Sequence, residues 1–305
     1  MKIVIAGGSG YLGRCVANYY KSCATDIVIL SRVLRAPNGK IRTVLWDGKT
    51  PGLWCSELEG VELLVNLAGR SVDCRYNEKN RREIFESRIN SVNVLGEAIL
   101  KLDSPPRCWV QSSSATIYRH AEDRPQDEIS GELGEGFSVD VCRAWEHSFQ
   151  SFNLPSTRKI TLRTGIVLGS SGGALPVMAR IARLGFGGAM GAGSQYLSWI
   201  HENDFVAIVE WLRANVNAVG VYNCTAPWPL PNKLFMQKLA VLVGPGFRCP
   251  TPAYLLKIGA FIIGTETELI LKSRWVKPTR LLNEGYRFQY PRAGDALDHL
   301  HSQLS

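Results

Sequence analysis

The first thirteen residues constrain this chain more than any other stretch. Ile3, Val4 and Ile5 form a β-branched run, the pattern of a parallel strand buried on both faces. Gly7, Gly10 and Gly13 follow at the spacing G-x-x-G-x-x-G, and an apolar helical pattern begins with Tyr11, Leu12, Val16 and Tyr19. Strand, glycine turn and helix in this order form the setting in which a dinucleotide pyrophosphate is bound. The first glycine permits the tight turn, the second lets backbone N–H groups approach the pyrophosphate, and the third lets the helix pack closely on the strand. The helix N-terminus adds a partial positive charge facing the anion. A plain strand-to-helix turn is the competing reading, and the full strand-turn-helix context argues against it.

The next strand bears on the choice of cofactor. Asp26 to Leu30 reads as a strand and ends in Ser31-Arg32. An NAD site carries an Asp or Glu here for the ribose 2′-hydroxyl, whereas an Arg accommodates the 2′-phosphate of NADP. No carboxylate stands at this strand end, Ser31 is a hydrogen-bond donor, and Arg35 follows closely. The pattern favours NADP(H) over NAD, with a solvated basic turn as the alternative.

Further strands are expected from Ile41 to Trp46, Val61 to Leu67 and Cys108 to Gln111, with a long amphipathic helix from Glu78 to Leu102. Asp47 closes the third strand, either as an acceptor for the adenine amino group or as an ordinary turn acid. Ala68 and Gly69 leave room for a cofactor backbone after the fourth. Strands alternating with helices imply an α/β fold with a doubly wound parallel sheet, whose ligands sit at the carboxyl ends of the strands. Gly7 to Gly13, Arg32, Asp47, Ala68-Gly69 and Ser112 to Tyr118 all fall on that edge.

A helix from Ser138 to Phe149 and a strand from Lys159 to Arg163 follow. Then come a helix from Ala174 to Leu184, one capped by Asn203-Asp204 and running to Ala214, a strand from Gly220 to Cys224, and helices over 232–243 and 253–263. Residues 1–169 are expected to form a nucleotide-binding domain to which some later segments return. Residues 170–305 are expected to form mostly a smaller C-terminal substrate-side lobe, including a tail domain at about 249–297.

The composition, 45% hydrophobic and 20% charged over 305 residues, is that of a globular protein. The longest apolar run near the C-terminus, 258–264, is too short to span a bilayer, so no membrane partner is expected. The chain opens directly on a strand, so no signal peptide and a cytoplasmic location are expected. None of the eight cysteines falls in a C-x-x-C pair, and reduced thiols are expected. His299 and His301 read as part of a solvated terminal helix, and no metal is expected. The net charge is +8, with basic residues gathered from Arg70 to Arg88 and from Lys272 to Arg280. No nucleic-acid motif accompanies them, so the charge points to a small anionic substrate, with a monomer or homodimer as the assembly.

Taken together these motifs resemble the extended short-chain dehydrogenase/reductase superfamily, in its nucleotide-sugar epimerase group. The marks are Gly7-x-x-Gly10-x-x-Gly13, Asn66-Leu-Ala-Gly69, Asn93-Val-Leu-Gly96 and Ser112-Ser-Ser-Ala-Thr-Ile-Tyr118. The chain is more closely similar to an atypical branch, an NAD-dependent epimerase/dehydratase-like family with a C-terminal domain of unknown function. Leu162 to Gly169, Trp199 to Asp204, Asn223 to Pro227 and Val276 to Phe288 carry that likeness, which covers essentially the whole chain. It implies a Rossmann-type fold. It implies a nicotinamide cofactor held by Gly7, Gly10, Tyr11, Leu12, Gly13, Ser31, Arg32, Asp47, Leu67, Ala68, Gly69, Asn93, Ser112, Ser113 and Cys142.

The superfamily's chemistry uses a Tyr as acid or base, a Lys four residues later, and a Ser or Thr on the same substrate oxygen. Ser114 fits the last role. Aligning the family's helix Glu on Glu146 puts Cys142 at the Lys and Ser138 at the Tyr, and neither can do that work. No Tyr-x-x-x-Lys occurs between Gly131 and Gly169. Tyr118 is then the expected proton donor, with Arg143 as a candidate neighbouring cation. Cys142 reads as a buried inert thiol, Tyr76 and His120 are loop candidates, and His201 is expected in a structural network. The expected function is an NADP(H)-dependent oxidoreductase or epimerase acting on a small anionic or nucleotide-linked substrate. The alternative is an NADP(H) sensor or regulatory protein with little or no catalysis.

Overall fold

Strand β1 (Lys2–Ala6) buries both of its faces. Ile3 and Ile5 join one apolar cluster with Ile27, Ile29, Leu63 and Val65, while Val4 and Ala6 join another with Val28, Leu30 and Leu64. That parity follows from the two-residue repeat of a strand and a parallel register in which Ile3 pairs with both Ile27 and Leu63. The computed structural model describes residues 1–244, 247–256, 266 and 268–303. Beside β1 lie β2 (Asp26–Ser31), β3 (Ile41–Leu45), β4 (Leu63–Asn66), β5 (Cys108–Ser114), β6 (Arg158–Thr164) and β7 (Gly220–Cys224), in the order β7-β6-β5-β4-β1-β2-β3. All pairings within this sheet are parallel.

Helices cover both faces. Val16, Ala17 and Tyr20 of α1 (Tyr11–Tyr20) pack on the first cluster, and Val92 and Leu95 of α2 (Glu78–Ile99) with Trp145 and Phe149 of α3 (Phe137–Ser151) pack on the second. After β6 come α4 (Leu175–Ile181), α5 (Glu202–Ala214), α6 (Asn232–Val243) and α7 (Ala293–His301). Helix α5 joins α1 on the first face through Phe205, Ile208 and Leu212, whereas α4, α6 and α7 gather a separate core that includes Leu175, Trp199, Phe235, Met236 and Leu300. This is a Rossmann-type, doubly wound α/β sheet, and its strand order reverses between β1 and β4, the point at which such sheets bind ligands. No helix among the described residues is long and apolar enough to cross a membrane.

Several expectations need revising. The fourth α-helix ends at Ile181 rather than Leu184, because the backbone widens over 182–186 and Gly185 takes φ +89°. Helix α5 is capped by His201, whose Nδ1 accepts from the Asn203 amide at 2.9 Å. Asp204 instead holds the C-terminal segment, accepting from the amides of Gln289 and Tyr290, both at 2.8 Å, and from the Tyr286 hydroxyl. His299 is only partly exposed; its ring nitrogen meets that of His201 at 3.1 Å, and His201 stacks on Tyr290. Of the helix expected over 253–263, residues 257–263 lie outside the described residues, as does the apolar run 258–264.

His201 is fully buried, and burial, aided by His299, pushes its imidazole pKa down to about 4. Its folded value lies below the unfolded one, so this contribution is complete above about pH 6.5 and is lost as pH falls toward 4. His201→Asn retains a capping acceptor and should remove roughly 2–4 kcal/mol of the stability change between pH 7 and 4, read from urea unfolding across that range.

Candidate functional site

A groove of about 310 Å³ runs along the carboxyl ends of β1 to β4. Gly7, Ser9 and Gly10 form its floor, Ser31 and Arg32 one lip, Trp46, Asp47 and Lys49 its far end, and Leu67, Ala68 and Gly69 its inner wall. The three glycines are required for different reasons. Gly7 has φ +74°, and a Cβ there would stand 2.8 Å from Ala68. A Cβ on Gly13 would stand 2.4 Å from the Gly8 Cα, so α1 can lie against the turn only without one. At Gly10 a Cβ would meet nothing closer than the Gly7 carbonyl at 3.5 Å. Protein packing therefore does not demand glycine at position 10, and the missing side chain leaves the groove floor open. No side chain caps α1, so the first-turn amides, including those of Tyr11 and Leu12, are available at the groove.

The inner wall is set by a buried polar chain. Asn66 donates to Gln111 at 2.9 Å and to Ser91 at 3.3 Å, and its carbonyl accepts from the Ala68 amide at 3.0 Å, fixing the loop after β4. Asp47 serves as the turn acid. Its carboxylate accepts from the Lys49 and Thr50 amides and the Thr50 hydroxyl, and these bonds, led by that of the Thr50 amide, hold its pKa below the usual carboxylate value. Ser31 accepts from the Val33 amide. Arg32 is exposed on the lip and makes no ion pair or hydrogen bond among the described residues.

Tyr11 and Asn93 turn away from the groove. The Tyr11 hydroxyl donates to Glu202 of α5, and its ring fills the space beside Gly169 and Gly172. Asn93 accepts from Ser148 of α3 at 2.7 Å. It stands two residues, about 200° of helix, beyond Ser91, which faces the groove. Ser9, Trp46, Lys49, Ser87 and Ser91 line the groove and were not singled out in the sequence. The i, i+4 pair Ser87 and Ser91 on the long helix was the one available signal.

On the far side of the sheet centre, β5 turns Ser113 away from Ser112 and Ser114, as a strand must. Ser113 donates to Glu146 at 2.6 Å, and Glu146 forms a two-point ion pair with Arg163 at 2.8 and 2.9 Å. Arg163 also donates to the Tyr118 hydroxyl at 2.9 Å, and that hydroxyl donates to Asn223 at 3.0 Å. Tyr118 is 1% exposed, and burial raises its pKa despite the adjacent guanidinium. Its one proton is committed inside a framework joining β5, β6, β7 and α3. Ser114 is half-buried and bonds only within its own turn, to Thr116. Cys142 is buried and has its thiol pushed up to about 12 by burial. Arg143 donates to the Gly134 carbonyl, and His120 accepts from the Ser273 amide.

The fold, the glycine cradle and the basic lip define a Rossmann-type protein of the short-chain dehydrogenase/reductase kind. The chain belongs to the NAD dependent epimerase/dehydratase family, whose model matches residues 3–225, and residues 251–300 match a domain of unknown function, DUF1731. It is 31% identical over 303 residues to epimerase family protein YfhF of Bacillus subtilis (strain 168), with 98% of each chain covered. It is 30% identical over 303 residues to human epimerase family protein SDR39U1, covering 97% of this chain and 98% of that one. The crystal structure of human SDR39U1 (isoform2) with NADPH superimposes with a TM-score of 0.87, at 28% identity and 99% coverage of both chains.

Tyr118→Phe should cost about 1–3 kcal/mol in urea unfolding, because Arg163 and Asn223 each lose a buried partner.

Proposed function

We propose that this chain is an NADP(H)-dependent oxidoreductase or epimerase whose substrate is small and anionic. The observation that carries the reading is an open glycine cradle beside an uncommitted arginine. A Cβ at Gly10 would find open space, the first-turn amides of α1 have no side-chain cap, and Arg32 has no protein partner among the described residues. This donor set fits a dinucleotide with an additional phosphate on its ribose. The NADPH in the crystal structure of human SDR39U1 supports the same reading.

Bound in the groove, the cofactor supplies or takes up hydride at its nicotinamide. In this reading Ser114 orients the reacting oxygen. Tyr118, the expected proton donor, has its hydroxyl tied to Asn223 and Arg163, and that geometry supports a framework role instead. The proton donor is assigned to Tyr76. Its ring is half-buried against Phe137, next in the chain to Ser138, the position at which the family's Tyr aligns. Burial raises the Tyr76 pKa, so it would give up a proton during carbonyl reduction rather than serve as a resting base. A non-catalytic NADP(H) sensor is the second reading. It is favoured by Cys142, which carries no positive charge where the family has a Lys.

Arg32→Ala should weaken NADPH binding by about 1–3 kcal/mol in calorimetric titrations and leave NADH nearly unchanged. Equal losses for both would overturn the NADP(H) assignment. With NADPH deuterated at C4, one face at a time, a metabolite extract should yield a deuterated product. Tyr76→Phe should slow that transfer by about 10²–10⁴. Tight NADPH binding without transfer from either face would select the sensor.

A further inference from the structure

Arg274 is a buried cation whose one carboxylate partner among the described residues, Glu268, is distant and shared. It is 9% exposed, and its Nε and Nη1 are buried without a hydrogen-bond partner. Among the described residues, no other ionisable side chain has such orphaned nitrogens. Other well-covered arginines are satisfied. Arg163 has Glu146, Arg213 has Glu210, and Arg158 donates to the carbonyls of Leu212, Arg213 and Ala218. Glu268 approaches Arg274 Nη2 only to 3.9 Å and Lys272 Nζ to 3.7 Å, while its other oxygen accepts from Ser138. Burial of the Arg274 guanidinium outweighs that carboxylate and pulls its pKa down to about 10. An unpaired guanidinium held out of water is a standing cost to the fold.

The backbone around Arg274 is nevertheless rigidly held. Ser198 donates to its carbonyl at 2.6 Å and accepts from the Val276 amide at 2.8 Å. Trp275 stacks on Tyr196 at 4.0 Å, and its carbonyl accepts from the Gln126 amide at 2.7 Å. The charge is not stranded by a loose segment.

A second arginine faces the same space. Arg88 of α2 is partly buried. It donates to the carbonyls of Arg70 and Ile84, lies over the Trp145 ring, and meets no carboxylate among the described residues. Its guanidinium fills the space beside Gly69 of the groove's inner wall, where a Cβ would stand 3.2 Å from Arg88 Cζ. Cys142 and Tyr76 lie in the field of both guanidiniums, and Cys142 packs in one apolar cluster with Ala115 and Val276, near neighbours in sequence of Ser114 and Arg274. Lys272 and Arg274 thus share one carboxylate, that of Glu268, while Arg88 brings a further cation with none among the described residues.

We propose that Arg274 and Arg88 form an anion subsite beside Ser114 that receives the carboxylate or phosphate of the substrate, with Arg274 offering the unpartnered N–H groups of its Nε and Nη1. The proposal rests on the reading of the groove as the NADP(H) site, which leaves this second cationic centre to the substrate. Such a subsite restricts the substrate to a small molecule whose reacting carbon lies near an anionic group.

The test titrates the NADPH-loaded protein with inorganic phosphate and, separately, with malonate, at low ionic strength in a calorimeter. Saturable binding of at least one is expected, and the stronger of the two identifies the anion class. Arg274→Met should weaken it about tenfold or more, as loss of a charge-assisted contact requires, with NADPH affinity unchanged within about twofold. Arg32→Ala should leave this anion binding unchanged. Without anion, Arg274→Met should keep or raise the melting temperature, because it removes an uncompensated buried charge; a purely structural arginine would lower it. Arg88→Gln should also weaken anion binding and serves if Arg274→Met does not fold. If NADPH binds but neither anion does, or if binding survives both variants, the subsite is overturned. If NADPH itself fails to bind the wild type, the reading of the groove fails instead.

Discussion

Helix α1 lies so close to the turn after β1 that a Cβ at Gly13 would stand 2.4 Å from the Gly8 Cα. That approach fixes the axis of α1, brings its uncapped N-terminus over the groove floor, and leaves Tyr11 directed at Glu202 on α5. The loop after β4 then has to fit against Gly7, whose missing Cβ makes room for Ala68. The Asn66 chain of hydrogen bonds holds that loop from below. The carboxyl edge is therefore built outward from a contact between glycine backbones.

A second framework crosses the sheet at β5 and β6. Glu146 and Arg163 are both well covered, with side chains 13% and 11% exposed, and removal of either partner would leave a buried charge alone. Ser113, Tyr118 and Asn223 complete the shell around that pair. The family's helix acid is retained here, although the Tyr and Lys that precede it in related enzymes are not. Glu146 lies one turn after Cys142 on α3, so the ion pair anchors that face of the helix to β6.

The sheet was legible because its strands announce themselves as short apolar runs that end on one edge, and the glycine spacing gave the groove its address. Strand and helix ends shifted by a few residues, as hydrogen-bond partners in space rather than local preference decide them. Side-chain direction was harder to read. Tyr118 follows a serine run that ends at the groove side, yet a single turn at Ala115–Ile117 sends its ring inward. Its partners lie 45 and 105 residues away. The role of Asp204 was misread for the same reason. An Asp near a helix start is a good local cap, but its oxygens are claimed by a segment 82 to 86 residues downstream. Ser9 and Lys49 carried no pattern at all until the turn after β1 and the loop after β3 formed around them.

The groove and Arg274 are encoded far apart in the chain. The groove's lining runs no further than Ser91, and Gln111 of β5 holds its inner wall through Asn66, whereas Arg274, held by Ser198, follows about 160 residues after Gln111. At a translation rate of about 5–20 residues per second, that separation corresponds to roughly 8–32 s on the ribosome. During this interval β1 can find β2 and β4, and β4 can find β5, before Arg274 exists. Assembly is therefore ordered in time, with the nucleotide groove formed on the nascent chain and Arg274 supplied only later.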